Sequence, residues 1–201
     1  LIAQYAGFIM ACLLWKHQYG ALLPHFHLKA LTNQHAMSQF FQINKDIFFR
    51  TLCLIAVTTY FTSAGAKQGD IILAVNTLLM QLFTIFSYFM DGFAYAGEAL
   101  TGKHIGAKQT DELRKMIKRL FRWGFGVAIA FTLIYALSGV QFLQLLTNEQ
   151  LVIQASKEYF FWAILIPSTG YSAFLMDGIF IGATRTRYML WGMLAASFAF
   201  F

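Results

Sequence analysis

Residues 71–98 read IILAVNTLLMQLFTIFSYFMDGFAYAGE, and the fold class turns on that stretch. It stays apolar for longer than the ~18–20 residues a helix needs to cross a bilayer. Yet it carries Thr77, Gln81, Thr84, Tyr88, Asp91, Tyr95 and Glu98. The steps between these residues alternate between four and three, so a helix sets them all on one stripe. The other faces hold residues such as Leu78, Leu79, Leu82, Phe83, Phe86 and Met90. Lipid cannot satisfy a polar stripe, so this one is expected to face water or polar protein.

The rest of the chain has the same character. Hydrophobic residues make up 58% of it and charged ones 12%, with a mean hydropathy of +0.57. A soluble domain carries about twice that share of charge. The expected fold class is an all-α integral membrane protein, a polytopic helix bundle. Complete spans are predicted at about 46–65, 71–98, 123–146 and 159–183, with partial spans at 1–15 and 188–201. Residues 1–45 then form the end of one transmembrane helix plus a cytoplasmic loop, and 46–201 the transmembrane bundle. The first residue is not Met, and both ends fall inside apolar runs (LIAQYAGFIMACLLW and YMLWGMLAASFAFF), so the chain is expected to be an internal fragment. The absence of a signal peptide is then uninformative.

Charge supplies the topology. Thirteen of the fifteen basic residues lie in or beside alternate loops: 16–50, 99–122 and the turn holding Arg185 and Arg187. The other two, Lys67 and Lys157, lie on the opposite side. The positive-inside rule makes the basic loops cytoplasmic. The net charge of +6 is thus a topology signal that also touches anionic headgroups, and it forms no separate basic face for a nucleic acid. Thr147-Asn-Glu-Gln150 has the form of a capping box, which predicts a helix start. Thr110, followed by Asp111 and Glu112, predicts another start. Its helix carries an apolar stripe (Leu113, Met116, Ile117, Leu120, Phe121). With basic flanks, that helix either lies on the inner membrane surface and turns in at Trp123 or simply extends the third span. Cys12 and Cys53 read as small core-packing residues.

Asp91 has a counterpart. Phe89-Met90-Asp91-Gly92-Phe93 returns 86 residues later as Leu175-Met176-Asp177-Gly178-Ile179, each copy followed by small residues and a basic loop. Repeated units around a central site are a common transporter construction. An acid at bilayer depth costs ~2.5–3.5 kcal/mol by insertion scales, so its retention points to function. Asp91, Asp177 and Glu98 are therefore candidates for proton or cation coupling, a proton and a cation competing for one carboxylate. Thr77, Gln81, Thr84, Tyr88, Tyr95 and Ser172 are candidates for a substrate cavity. Tyr88, Phe89, Phe93 and Tyr95 offer faces to an organic cation. The alternative is structural: the acids pair with Arg50 or with helix-end amides and move nothing. Arg50 itself has two candidate partners, Asp46 one turn away and an acid on a neighbouring helix. Pro167 removes a helical hydrogen bond in mid-span and predicts a gating kink. His17, His25, His27 and His35 share one loop, but two of them point apart if extended and no Cys assists, so no metal site is expected.

The segments NKDIFFRTLCL (44–54), DGFAYAGEALTGKHIGA (91–107) and LMDGIFIGATRTRYM (175–189) resemble, in order and spacing, the multidrug and toxic compound extrusion (MATE) transporters, in particular their DinF-type branch. The resemblance runs through nearly the whole chain. It implies a twelve-helix fold of two six-helix lobes with alternating access, of which this chain holds the end of the sixth helix, helices seven to ten and the start of the eleventh. It implies export of amphipathic or cationic organic compounds across the bacterial inner (plasma) membrane, with H+ or Na+ as coupling ion and no cofactor. The partners so implied are those toxins, the lipid bilayer and an N-terminal lobe of the same chain. Sodium-type members use carboxylates on helices seven and ten; Asp177 corresponds to the second, and residues 51–65 hold no acid. A flippase for lipid-linked oligosaccharides, from the same superfamily, is expected to carry more intramembrane cations than Arg50. A membrane-embedded aspartyl protease, which needs two acids sharing a proton, is expected to show Gly-x-Gly-Asp and Pro-Ala-Leu signatures, and both are missing. The chain is thus expected not to be an enzyme.

Overall fold

The structure, a computed structural model, describes residues 2–20 and 34–201, apart from the side chains at 19, 35, 36, 39 and 140. Six helices follow one another: α1 (Ile2–Tyr19), α2 (Gln34–Lys67), α3 (Asp70–Gly106), α4 (Thr110–Leu146), α5 (Gln150–Gly182) and α6 (Thr186–Phe200). Among the described residues, four helices are long and apolar enough to cross a membrane: 40–67, 70–106, 110–139 and 150–182. The chain divides into two compact units, 1–42 and 43–201. In the first, α1 is exposed along its described side chains. All that follows concerns the second.

Its centre is the packing of α3, α4 and α5. On α3 the buried residues are Val75, Leu78, Leu82, Phe86, Met90, Ala94, Gly97 and Thr101, again at steps of three and four. Phe86 and Met90 meet Met116 and Leu120 of α4 and Leu175 and Ile179 of α5 in one cluster. Leu82 packs with Tyr135 and Ala163, and the Tyr135 hydroxyl donates to the Leu82 carbonyl at 2.7 Å, joining α4 to α3. Between helices in lipid the hydrophobic effect does little, so close backbone approach through small residues takes its place. Here Gly178 and Gly182 of α5 lie against the α3 backbone at Ala94 and Glu98, where any Cβ collides with main-chain atoms. Gly124 of α4 likewise receives Leu175, whose Cδ1 lies 2.7 Å from where a Cβ stands.

Helix α2 is held differently. No residue from 47 to 64 is buried. At one end Arg50 pairs with Asp177 of α5, and Asp46 accepts a hydrogen bond from Thr186 of α6 at 3.1 Å. Further along, Tyr60 meets the rings of Phe200 and Phe201 at 5.9 and 5.1 Å, and Gly65 abuts the Asn76 side chain.

Several local expectations are corrected. Of the two readings of residues 110–122, the extension of the third span is the one observed: α4 runs unbroken past Trp123, and the 113–121 stripe packs into the core cluster. The Thr147 capping box does not form. The Thr147 hydroxyl instead accepts from the Glu149 amide at 3.3 Å, and α5 starts at Gln150. Helix α4 likewise begins at Thr110 behind Gln109, without a side-chain cap. The interior departure from helical geometry is at Ser138 of α4 (φ −117°, ψ 15°), whereas α5 continues through the fully buried Pro167. There Ser168 and Thr169 both bond back to the Leu165 carbonyl at 2.9 Å, so these hydroxyls serve their own helix. Cys12 is exposed and Cys53 partly so; both are free thiols outside the core.

The turns α3–α4 and α5–α6 are built alike. Lys108 and Thr184 both adopt φ 55°, the left-handed region. The Gln109 amide reaches the His104 carbonyl and the Arg185 amide the Phe180 carbonyl, both at 2.9 Å. This is the helix-ending geometry that glycine usually serves. The Asp-Gly repeat is less even. Gly178 is pressed against α3, while a Cβ on Gly92 meets nothing within 4 Å.

Candidate functional site

The polar stripe of α3 lies on the face away from the bundle core. Tyr88 and Tyr95 are 72% and 70% exposed, Thr77 and Gln81 are exposed, and Thr84, Asp91 and Glu98 are half-buried. Thr77 and Thr84 donate to the carbonyls of Leu73 and Met80, both at 2.8 Å. Their protons are thus spent on the helix, and their lone pairs face outward. Of the aromatic residues expected beside the acids, only the two tyrosines share this face. Phe89 packs edge-on to Phe131 of α4, with ring centroids 5.0 Å apart, and Phe93 packs against the core cluster.

At one end of the stripe the acids converge. Asp177 is held by Arg50, with 31% and 26% of their side-chain surfaces exposed, and Asp91 is close enough for its charge to act on Asp177. The close α3–α5 crossing through Gly178 and Gly182 is what brings these two carboxylates together. Arg50 therefore takes the second of its candidate partners, an acid on another helix, and not Asp46. Among the described residues neither Asp91 nor Glu98 makes an ion pair. The cluster is near the end of the bundle and not at its middle: Asp177 is five residues, about 7.5 Å of helix rise, from the end of α5. Ser172 is half-buried one turn further in, and Pro167 lies another turn beyond.

Two contributors have roles that were not read from sequence. Asp46 is only 4% exposed and ties α2 to α6 through Thr186, itself 3% exposed. Nothing local distinguishes that acid from one at an ordinary helix start. Gly178 and Gly182 had a legible signal, the small-xxx-small spacing that brings helices together. No three metal-ligating side chains gather among the described residues. His25 and His27 lie outside the described residues, as does the side chain of His35.

A bundle of long apolar helices, a polar stripe left open on one of them and an acid-rich cluster at its end fit a membrane transporter more closely than a catalyst. The MatE family profile matches residues 47–200, which holds Arg50, the α3 stripe and Asp177. The chain belongs to the MatE family. It is 37% identical over 158 residues to DNA damage-inducible protein F of Escherichia coli K12, covering 79% of this chain and 34% of that protein. To Protein DETOXIFICATION 45, chloroplastic, of Arabidopsis thaliana it is 25% identical over 146 residues, covering 72% and 26%. The chain thus spans about a third or less of the length of the curated relatives it matches. No solved structure matches it. As a MatE protein it is a multi-pass membrane protein, and the all-α polytopic expectation holds.

Proposed function

We propose that this chain is the greater part of the second lobe of a secondary active exporter, which expels amphipathic or cationic organic compounds in exchange for H+ or Na+. The observation that carries the reading is the open polar stripe of α3 ending beside the Asp91–Asp177–Arg50 cluster. An exposed stripe on a membrane helix requires a wet or polar neighbour. An N-terminal lobe of the same chain supplies it, and the passage between the lobes carries the substrate. Tyr88 and Tyr95 offer ring faces to a cation, and Gln81 with the threonine oxygens offers hydrogen bonds.

Coupling works through the ion pair. While Arg50 holds Asp177, α2 is anchored to α5. A proton or sodium ion on Asp177 removes the charge that Arg50 answers and loosens α2, whose long apolar stretch is not buried by the bundle. Asp91, without a cation of its own, is the second carboxylate of the cluster and raises the affinity for the incoming ion. The lobe sits in the bacterial inner membrane with its basic loops in the cytoplasm, as the distribution of Lys and Arg supports. The family is one of transporters, so the protease reading falls away. The flippase reading has little support, because Arg50 in the α2 span is engaged by Asp177 and not free for a pyrophosphate.

Inside-out vesicles containing the protein translated from the complete reading frame test this. Uptake of a fluorescent organic cation is expected to follow an imposed H+ or Na+ gradient and to be lost in Asp91→Asn and Asp177→Asn. Uptake indifferent to both gradients, or gradient-driven uptake unchanged in both variants, overturns the assignment.

A further inference from the structure

We propose that the seam between the end of α3 and the start of α4 is a binding site for an anionic phospholipid. Its acyl chain lies in the seam and its phosphate on Arg119. A groove of about 370 Å³ opens there, walled by Phe93, Leu100, Met116, Leu120 and Trp123. Arg119, His104 and Glu112 stand at its polar end. Three observations select the occupant.

The first is charge. Glu112 is taken by Lys115 at 2.8 Å, and the His104 ring nitrogen by Gln109 at 3.2 Å. Arg119 is left exposed and without an ion pair among the described residues. Lys103, Lys108, Arg114 and Lys118 surround it in sequence, so the polar end of the groove attracts an anion.

The second is depth. Gly182, at the end of α5, lies against Glu98 and Gly102 of α3, so α3 and α4 project past the neighbouring turn. The groove, running from Phe93 to His104 along α3, straddles that level. Its apolar part falls on the membrane side and Arg119 toward the headgroups. Trp123, 69% exposed, takes the position an interfacial tryptophan favours.

The third is direction. Phe93 and Leu100 each follow an acid of the polar stripe, Asp91 and Glu98, by two residues, which is roughly half a turn around the helix. The groove therefore opens away from the stripe and toward lipid. An acyl chain suits its walls, and the Arg119 guanidinium, which feels the Glu112 charge but makes no ion pair among the described residues, suits an anionic headgroup better than a zwitterionic one, whose own ammonium competes for the phosphate.

Trp123 lines the groove, so it can report the occupant. The full-length protein, with every tryptophan but Trp123 replaced by Phe (Trp15, Trp162 and Trp191 among them), is reconstituted into phosphatidylcholine vesicles. These carry a minor fraction of either phosphatidylglycerol or phosphatidylcholine brominated on the acyl chains. Brominated phosphatidylglycerol is expected to quench Trp123 at about fivefold lower mole fraction than brominated phosphatidylcholine, the ratio one basic residue gives at a membrane surface. Arg119→Gln is expected to erase that preference and Arg119→Lys to keep most of it. Ala96→Leu, which fills the groove from the other helix, reports independently of the charge and is expected to lower quenching by both lipids. Lys157→Gln, on α5 and outside the groove, is expected to change nothing. Equal quenching by the two lipids in the unsubstituted protein overturns the proposal, as does a preference that survives Arg119→Gln or quenching by both lipids that is unchanged in Ala96→Leu.

Discussion

Helices α2 and α3 are neighbours in sequence and both long and apolar enough to cross a membrane, yet they are held in place by different physics. Helix α3 buries a continuous stripe against α4 and α5, with glycine letting the backbones meet. Between Ile47 and Ala64, α2 buries nothing and is fastened by an ion pair, a carboxylate–hydroxyl bond and a few ring contacts. Packing contacts between apolar side chains respond to no titrating group, whereas an ion pair is made or broken by one proton or one cation. A rigid bundle beside a helix on polar fastenings has one part that stays and one part that chemistry can release.

That contrast breaks first, if it is wrong, at the core. Phe86→Ala, in the fully buried cluster, is expected to destabilise the folded protein by about 3 kcal/mol, since the cavity and lost dispersion contacts remain whatever solvent surrounds the bundle. Phe49→Ala on α2 is expected to stay within about 0.5 kcal/mol. Thermal unfolding of both variants in detergent checks the pair, and equal losses remove the distinction. Gly178→Val is expected to cost about 1–3 kcal/mol by forcing α5 off α3, and it separates Asp177 from Asp91 as well.

Much of this was legible in the sequence. Stripe and core on α3 both follow from steps of three and four, because helical geometry alone assigns them to faces. Arg50 was legible as a residue needing an acid, but which acid depended on where α5 lay, and that depended on backbone approach at Gly178 and Gly182. The same reason hid Asp46, whose partner Thr186 is far away in sequence. Pro167 was legible as a gap in the hydrogen-bond ladder, whereas Ser138 carried no local signal. A missing amide is visible in the sequence, but whether a helix bends there is decided by its neighbours, and Pro167 is packed on all sides.

Smaller effects sharpen the comparison. Arg50→Gln leaves Asp177 without its cation, but both groups are partly exposed, so the loss is expected to be about 1 kcal/mol. Adding Asp177→Asn to Arg50→Gln is expected to cost less than the two single changes together, and a double-mutant cycle of melting temperatures measures the coupling. At Thr184, a β-branched residue held at φ 55°, glycine is expected to add about 0.5–1 kcal/mol. A stability gain without loss of transport locates that turn outside the moving part.

The most direct test of the central claim asks whether the α3 stripe is wet. In the full-length protein, with every native cysteine replaced by serine (Cys12 and Cys53 among them), Gln81→Cys, Tyr88→Cys and Tyr95→Cys are exposed in sealed vesicles to a charged, membrane-impermeant thiol reagent. Leu133→Cys on α4 serves as the lipid-facing reference. The account predicts that the three stripe positions react and the reference does not. Stripe positions as inert as Leu133→Cys contradict it, because acyl chains then cover the face assigned to a passage.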